Sequence, residues 1–259
     1  MDRRKLLNYA QNDDDSIMLS KIIDVFSAAE SKNIIRNSQF LNGHQIVLAK
    51  RVAAEFNIGY GFYGGYDEAE RQILLCYPDY MYPESGDIPI SIIRAETKNH
   101  SRLSHRDYMG AVLNLGIRRE KIGDIVVCDD CGYIICMDDI AGFIVSQIEK
   151  IGNCGVRLFL TSFDNVSVPP KKYKEITSSC SSVRLDAVVG AGTGISRTES
   201  ASLVEKGMVS VNWEVRSNND YRPEEGDIIS VHGHGRFLLY KIGGTSKKGR
   251  IFITLRKYI

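Results

Sequence analysis

Residues 16–34 (SIMLSKIIDVFSAAESKNI) place Leu19, Ile22, Ile23 and Phe26 at i, i+3, i+4 and i+7, the spacing of one helix face. Asp15 or Ser16 is the expected cap, since a short polar side chain there can accept a free backbone N–H. A second helix fits residues 43–56, with Ile46, Val47, Ala49, Ala53 and Phe56 on its apolar side. The Gly- and Tyr-rich piece IGYGFYGGYDEAE then breaks the helical period and leads into an apolar run over 72–77. Residues 1–72 are therefore expected to form a small, mainly helical module.

From residue 73 to 166 the pattern is more regular. A strand is expected at 88–95 (IPISIIRA), a helix at 104–115, a hairpin of 124–128 and 133–137 around CDDCG, a helix at 138–150 and a strand at 155–161. That order is β-α-β-β-α-β, the ferredoxin-like arrangement also used by RNA-recognition folds. Residues 167–182 hold a Pro pair, a Lys cluster and a serine run, and read as a linker with room for one short strand. From 183 to 259 the pattern restarts with a short helix (VRLDAVVGA), a Gly-rich turn and a second helix opened by Ser196-Arg197-Thr198-Glu199, a capping box. Four strands follow: MVSVN, GDIISVHG, RFLLYKIG and RIFITLRKY. The fold class is α+β, in three parts.

Composition narrows the function classes. Apolar residues at 43% and charged residues at 25% are those of a globular chain, and no stretch reaches the ~18 apolar residues of a membrane span. The N-terminus lacks the apolar segment of a secretory signal, and six scattered cysteines do not make a disulfide framework, so a cytoplasmic location is expected. Net charge is only +1, but it is unevenly placed. Residues 183–259 hold 12 basic and 8 acidic side chains, net +4, against 21 and 24, net −3, in the remainder. From Arg236 onward there are seven basic residues and no acidic one. Phosphate neutralisation supplies much of the affinity of nucleic-acid binding, and this end of the chain has the charge for it.

Several chemical motifs lead nowhere. His105-Arg106-Asp107 mimics a kinase catalytic loop, but position 112 is Val where the loop needs Asn. Gly190-Ala-Gly-Thr-Gly194 lacks the G-x-G-x-x-G spacing of a dinucleotide site and has no second βαβ unit behind it. Cys128 and Cys131 form one CxxC without a second pair, so a hairpin turn is favoured over a metal site. No nucleophile-base set or carboxylate pair can be assembled. No metal, no cofactor and no catalytic residue are expected. The central strand Tyr-Ile-Ile-Cys-Met also lacks the alternating aromatics of an RNA-reading sheet.

The segment RLD…GISRTESASLVEKGMVSVNWEV…YRPEEGDIISVHGHGRF resembles the RNA-binding module named for small-subunit ribosomal protein four, the S-four domain. LSHRDYMGAVLNLGIRREKIGDIVV (103–127) is similar to the signature of the YlmH family, and the ending GRFLLYKIGGTSKKGRIFITLRKY also fits it. FLNGHQ (40–45) departs from the family's Pro- and Glu-containing segment. The resemblance implies a helical N-terminal part, an RRM-like centre and an S-four domain. It further implies a non-catalytic, monomeric RNA-binding protein of the large ribosomal subunit and tRNA, acting on stalled translation products, with a link to cell division. The alternative is an RNA-modifying enzyme, such as a pseudouridine synthase or methyltransferase, that uses an S-four domain for targeting.

Arg184 and Arg197 stand at the starts of two helices, where backbone N–H groups and the helix dipole favour phosphate. With them, Lys206, Arg236, Lys247, Lys248 and Arg250 are the expected RNA contacts. His105, Arg106, Arg118, Arg119 and Lys121 form a secondary set in the centre.

Overall fold

The computed structural model describes the chain apart from residues 1, 98–102, 130, 164–165, 167 and 247–248. The chain forms two compact units, Met1–Pro169 and Pro170–Ile259.

The first unit opens with α1 (Arg3–Leu7), α2 (Asp13–Lys32), β1 (Arg36–Leu41), α3 (Gly43–Ala53), β2 (Gly59–Tyr63) and β3 (Gln72–Tyr77). Asn12, not Asp15 or Ser16, caps α2, and its side chain accepts from the Asp15 N–H at 2.8 Å. Asp13, Asp14 and Asp15 then occupy the first turn, where negative charge opposes the helix dipole. The expected α2 face is buried: Leu19, Ile22, Ile23 and Phe26 all lie in one core, with Phe26 stacked on Phe56 at 4.8 Å. Beside these helices stands a three-stranded antiparallel sheet, ordered β1-β3-β2, that the helical periods do not announce. Its first strand, RNSQFL, has no apolar alternation to announce it.

Next come β4 (Ile90–Thr97), α4 (His105–Leu113), β5 (Ile122–Val127), β6 (Cys131–Met137), α5 (Asp138–Gln147), β7 (Lys150–Ile151) and β8 (Cys154–Thr161). The sheet order is β5-β6-β4-β8-β7, every pairing antiparallel, so the crossover through α4 skips one strand position and that through α5 into β7 skips two. Ile93, Ala95, Ile134 and Cys136 face α4 and α5 through Tyr108, Val112, Ala141 and Ile144. The alternate residues Ile90, Ile92, Tyr133, Ile135 and Met137 pack instead on Phe40 of β1 and Ile73 of β3. Both faces of the sheet are thus covered, which is why its central strands read as continuous apolar runs. The Cys128 N–H donates to the Cys131 carbonyl at 2.9 Å, which closes the CDDC segment as a hairpin turn.

The second unit contains β9 (Tyr173–Cys180), α6 (Leu185–Thr193), α7 (Arg197–Glu205), β10 (Val209–Val211), β11 (Glu214–Val215), β12 (Ile228–Val231), β13 (Gly235–Thr245) and β14 (Ile251–Tyr258). Its sheet is antiparallel and six-stranded, ordered β11-β10-β12-β13-β14-β9. The stretch expected as a linker therefore supplies an eight-residue edge strand, paired with β14 along its whole length. In its sequence YKEITSSC only Ile176 and Cys180 mark the core-facing side, with Lys174 and Ser178 between and beside them, so periodicity could not show it. Helices α6 and α7 cover one sheet face: Leu185, Val188, Val189 and Val204 meet Phe237, Leu239, Ile253 and Leu255. The close approach depends on Gly192, where an added Cβ would lie 2.6 Å from the Phe237 ring.

Candidate RNA interface

The two helix starts that carry Arg184 and Arg197 are built from local signals. Arg184 is the extended residue before α6, and the next N–H, of Leu185, donates to the Tyr221 carbonyl at 2.8 Å. Gly194 ends α6 in the left-handed conformation at φ 81°, where an L side chain would be strained. The chain can then turn straight into α7. Ser196 caps α7 by accepting from the Glu199 N–H at 3.2 Å, so the serine half of the expected capping box forms. Gly190 and Ser200 sit where the helices approach, with the serine hydroxyl 3.3 Å from the position of a Cβ on Gly190.

Asp186, in the first turn of α6, joins the two arginines. Its side chain is 3% exposed. It accepts from Arg184 Nε at 3.0 Å, Arg184 Nη2 at 3.3 Å and Arg197 Nε at 3.3 Å. Arg184 also contacts Asp220 through Nη1 at 2.6 Å. Hydrogen bonding to Asp186, reinforced by its charge and that of Asp220, holds the Arg184 guanidinium more firmly in its charged form. By motif alone the two arginines are surface cations of equal standing. The structure separates them. Arg184 is half-buried between two carboxylates, whereas Arg197 is 63% exposed and spends one nitrogen on Asp186. A guanidinium fixed by one edge still presents its other N–H groups to a phosphate.

The other expected contacts are dispersed. Lys206 is exposed at the C-terminal end of α7, one helix length from Arg197. Arg236 lies on the sheet face turned away from the helices, with its guanidinium 4.8 Å from the Tyr258 ring centre. Arg250 is exposed, donates from Nε to Ser179 Oγ at 3.0 Å and from Nη2 to the Ser179 carbonyl, and so ties β14 to β9. Lys247 and Lys248 fall outside the described residues.

In the first unit, Ser104 and Asp107 form the capping box of α4. The Ser104 N–H donates to Asp107 Oδ2 at 2.8 Å and the Asp107 N–H to Ser104 Oγ at 3.4 Å. The Ser104 hydroxyl, donating to Asp107 Oδ2 at 2.6 Å, and then the Ser104 N–H hold the Asp107 carboxyl below the usual aspartate range. Arg106 is exposed, and Arg118 is 79% exposed with Glu120 at 3.4 Å. Lys121 pairs with Asp139. Arg119 is not a surface cation of the loop: it is partly buried and donates to the Ile122 and Gly123 carbonyls at 2.6 and 3.1 Å. Burial depresses the His105 pKa, and the positive charge of Arg119 adds to the effect.

Sequence reasoning misses a network beside this set. Asp124 accepts from Tyr66 Oη at 2.8 Å and from the N–H groups of Glu70 and Arg71 at 2.7 and 3.2 Å. Arg71 donates to the carbonyls of Ile122 and Phe40 at 3.0 and 3.1 Å. Burial, then the charge of Arg119, lowers its pKa to about 10. These bonds run between the N-terminal segment and β5, a joining role that no local sequence motif announces.

Comparison with known proteins finds a family match in each unit. Residues 83–165 match the family model described as "Putative RNA-binding domain in YlmH", and residues 183–229 match the one described as "S4 domain". Over 237 residues the chain is 32% identical to "Ribosome-associated protein quality control protein P2" of Bacillus subtilis (strain 168), covering 89% of this chain and 92% of that protein. A solved structure, "Cell division protein ylmH from Streptococcus pneumoniae", shares the fold with a TM-score of 0.54 at 24% identity, over 61% of this chain and 98% of that one.

Proposed function

The chain belongs to the YlmH family, and on that premise we propose that it is a non-catalytic RNA-binding protein of ribosome-associated quality control. Its partners are ribosomal RNA of the large subunit and tRNA, and it works in the cytoplasm on stalled translation. The observation that carries this reading is the Asp186 bridge. It sets two guanidinium groups at two adjacent helix starts inside the segment matched as an S4 domain. A relative named for ribosome-associated quality control, aligned over nearly its whole length, supplies the cellular setting.

The central domain is read as RRM-like in connectivity, with its role changed. An RNA-recognition sheet uses an open face with stacking aromatics. Here that face is packed on Phe40 and Ile73, so the sheet supports the N-terminal segment rather than reading bases. Any RNA contact by this domain falls to Arg106, Arg118 and the start of α4. Incubation of the full chain with ribosomal RNA and tRNA tests the reading. Binding with neither a change in nucleotide mass nor new pseudouridine (which is mass-silent and is read by carbodiimide labelling) is expected, and a mass shift or pseudouridine formation would point to a modifying enzyme.

A further inference from the structure

Helices α6 and α7 cover one face of the six-stranded sheet, and the opposite face is open. Register decides what stands on it. Tyr173 of β9 pairs with Tyr258 of β14, Glu175 with Arg256, and Leu238 of β13 with Arg256. Because side chains alternate, Tyr173, Glu175, Arg256 and Tyr258 share the face away from Ile176, Ile253 and Leu255. Arg236 and Tyr240 join them from β13, which a bulge between Leu239 and Lys241 bends at this point.

The side chains form a continuous stack. The Arg256 guanidinium lies 3.3 Å from the Tyr240 ring centre and 6.0 Å from that of Tyr173. Tyr173 meets Tyr258 edge-on at 5.1 Å, and Arg236 lies 4.8 Å from the Tyr258 centre. Tyr240 and Tyr173 remain 44% and 36% exposed, and Phe252, on the same side of β14, is 46% exposed. An ordinary solvated sheet face carries Thr, Ser and Lys. This one presents three tyrosines and a phenylalanine interleaved with guanidinium groups, in a segment with no acidic residue after Asp227.

We propose that this open face is a second RNA-binding site, for unpaired nucleotides, whose rings of Tyr173, Tyr240 and Tyr258 stack on bases while Arg236 and Arg256 hold the phosphates. It rests on the reading of the chain as RNA-binding and extends it from helix-start phosphate contacts to single strands. Bases stack on aromatic side chains without sequence preference, and arginines beside the rings supply charge and N–H donors for phosphate. Three adjacent strands about 4.8 Å apart give room for two or three bases. The positive charge favours a nucleic acid over an apolar protein surface, since Glu175, 3.7 Å from Arg256, is the one carboxylate on the face among the described residues.

The test uses the full chain and two labelled probes, an oligouridine of about twelve nucleotides and a hairpin duplex of the same length. Replacing Tyr173, Tyr240 and Tyr258 together by Thr keeps strand-forming residues and removes the rings. Affinity for the oligouridine should fall at least about tenfold, with hairpin affinity and the unfolding transition unchanged. The corresponding triple Phe variant should bind within about twofold of the parent. Oligouridine affinity untouched by the Thr changes would overturn the proposal, and so would a fall in affinity for both probes alike. A Thr variant that keeps oligouridine affinity but no longer binds a protein partner would reassign the face to protein docking. Arg197→Glu separates this from the underlying reading: it should impair the hairpin and spare the oligouridine. If the unaltered chain binds neither probe nor ribosomal RNA, the RNA-binding reading itself fails.

Discussion

Asp186→Asn isolates the bridge at the helix starts, because it keeps the side-chain shape and removes the charge that three guanidinium hydrogen bonds converge on. Hydrogen bonds to charged groups contribute about 1.5–3 kcal/mol each when shielded from water. The one from Arg197 counts for far less, since that side chain is 63% exposed. Loss of the buried carboxylate should therefore cost the second unit about 2 kcal/mol. The chain has one tryptophan, Trp213, in the turn between β10 and β11, so its fluorescence reports on the second unit alone. For a unit of about 90 residues, urea unfolding with a slope of about 1 kcal/mol/M should show the midpoint falling by about 2 M. A midpoint within about 0.3 M of the parent's would mean that Asp186 does not hold the arginines, and the proposed geometry of the interface would lose its support.

Gly192→Ala should destabilise the same transition by about 1–3 kcal/mol through overpacking against Phe237, while Gly244→Ala, with open space around its Cβ, should leave it within about 0.5 kcal/mol. An NMR titration of His105 should give a midpoint below the usual histidine range. Because its folded pKa is depressed, its contribution to stability is complete above a pH of about 6.5 and is lost as pH falls through the folded value. A normal or raised midpoint would contradict the partial desolvation of the ring and the positive charge of Arg119 near it. Arg119→Ala should lower the stability of the first unit, since Arg119 carries two backbone carbonyls, whereas Arg106→Ala with Arg118→Ala should leave melting unchanged. Hydrogen exchange of α4 and β5 amides distinguishes the two.

How much of this can be read from the sequence follows from where the signals lie. Helix α2 shows itself because Leu19, Ile22, Ile23 and Phe26 fall on one stripe. The central domain does so because its apolar runs alternate with helical periods. Strands β1 and β9 do not, since RNSQFL and YKEITSSC carry their buried positions irregularly and gain their place by pairing with β3 and β14. Arg184 and Arg197 stand out by motif, but Asp186 reads as an ordinary first-turn carboxylate. Its hydrogen bonds reach Arg197, eleven residues away, and through Arg184 link to Asp220 beyond that. Tyr173, Tyr240 and Tyr258 stand far apart in sequence, and only strand register assembles them. Charge asymmetry points to the basic end of the chain; it cannot say that Arg236 and Arg197 lie on opposite sides of one sheet.

The central claim is that the second unit holds RNA through the helix starts of α6 and α7. Sedimentation of the full chain with purified large ribosomal subunits over a range of salt tests it most directly. The account predicts that the parent chain pellets with the subunit and that Arg197→Glu, at a temperature where its Trp213 unfolding transition shows it folded, weakens binding at least about tenfold. It should also flatten the slope of log affinity against log salt by about 0.7–0.9 for each phosphate that the variant no longer neutralises. Unchanged binding by Arg197→Glu, with binding abolished instead by changes at Arg106 and Arg118, would place the interface on the first unit and contradict the account.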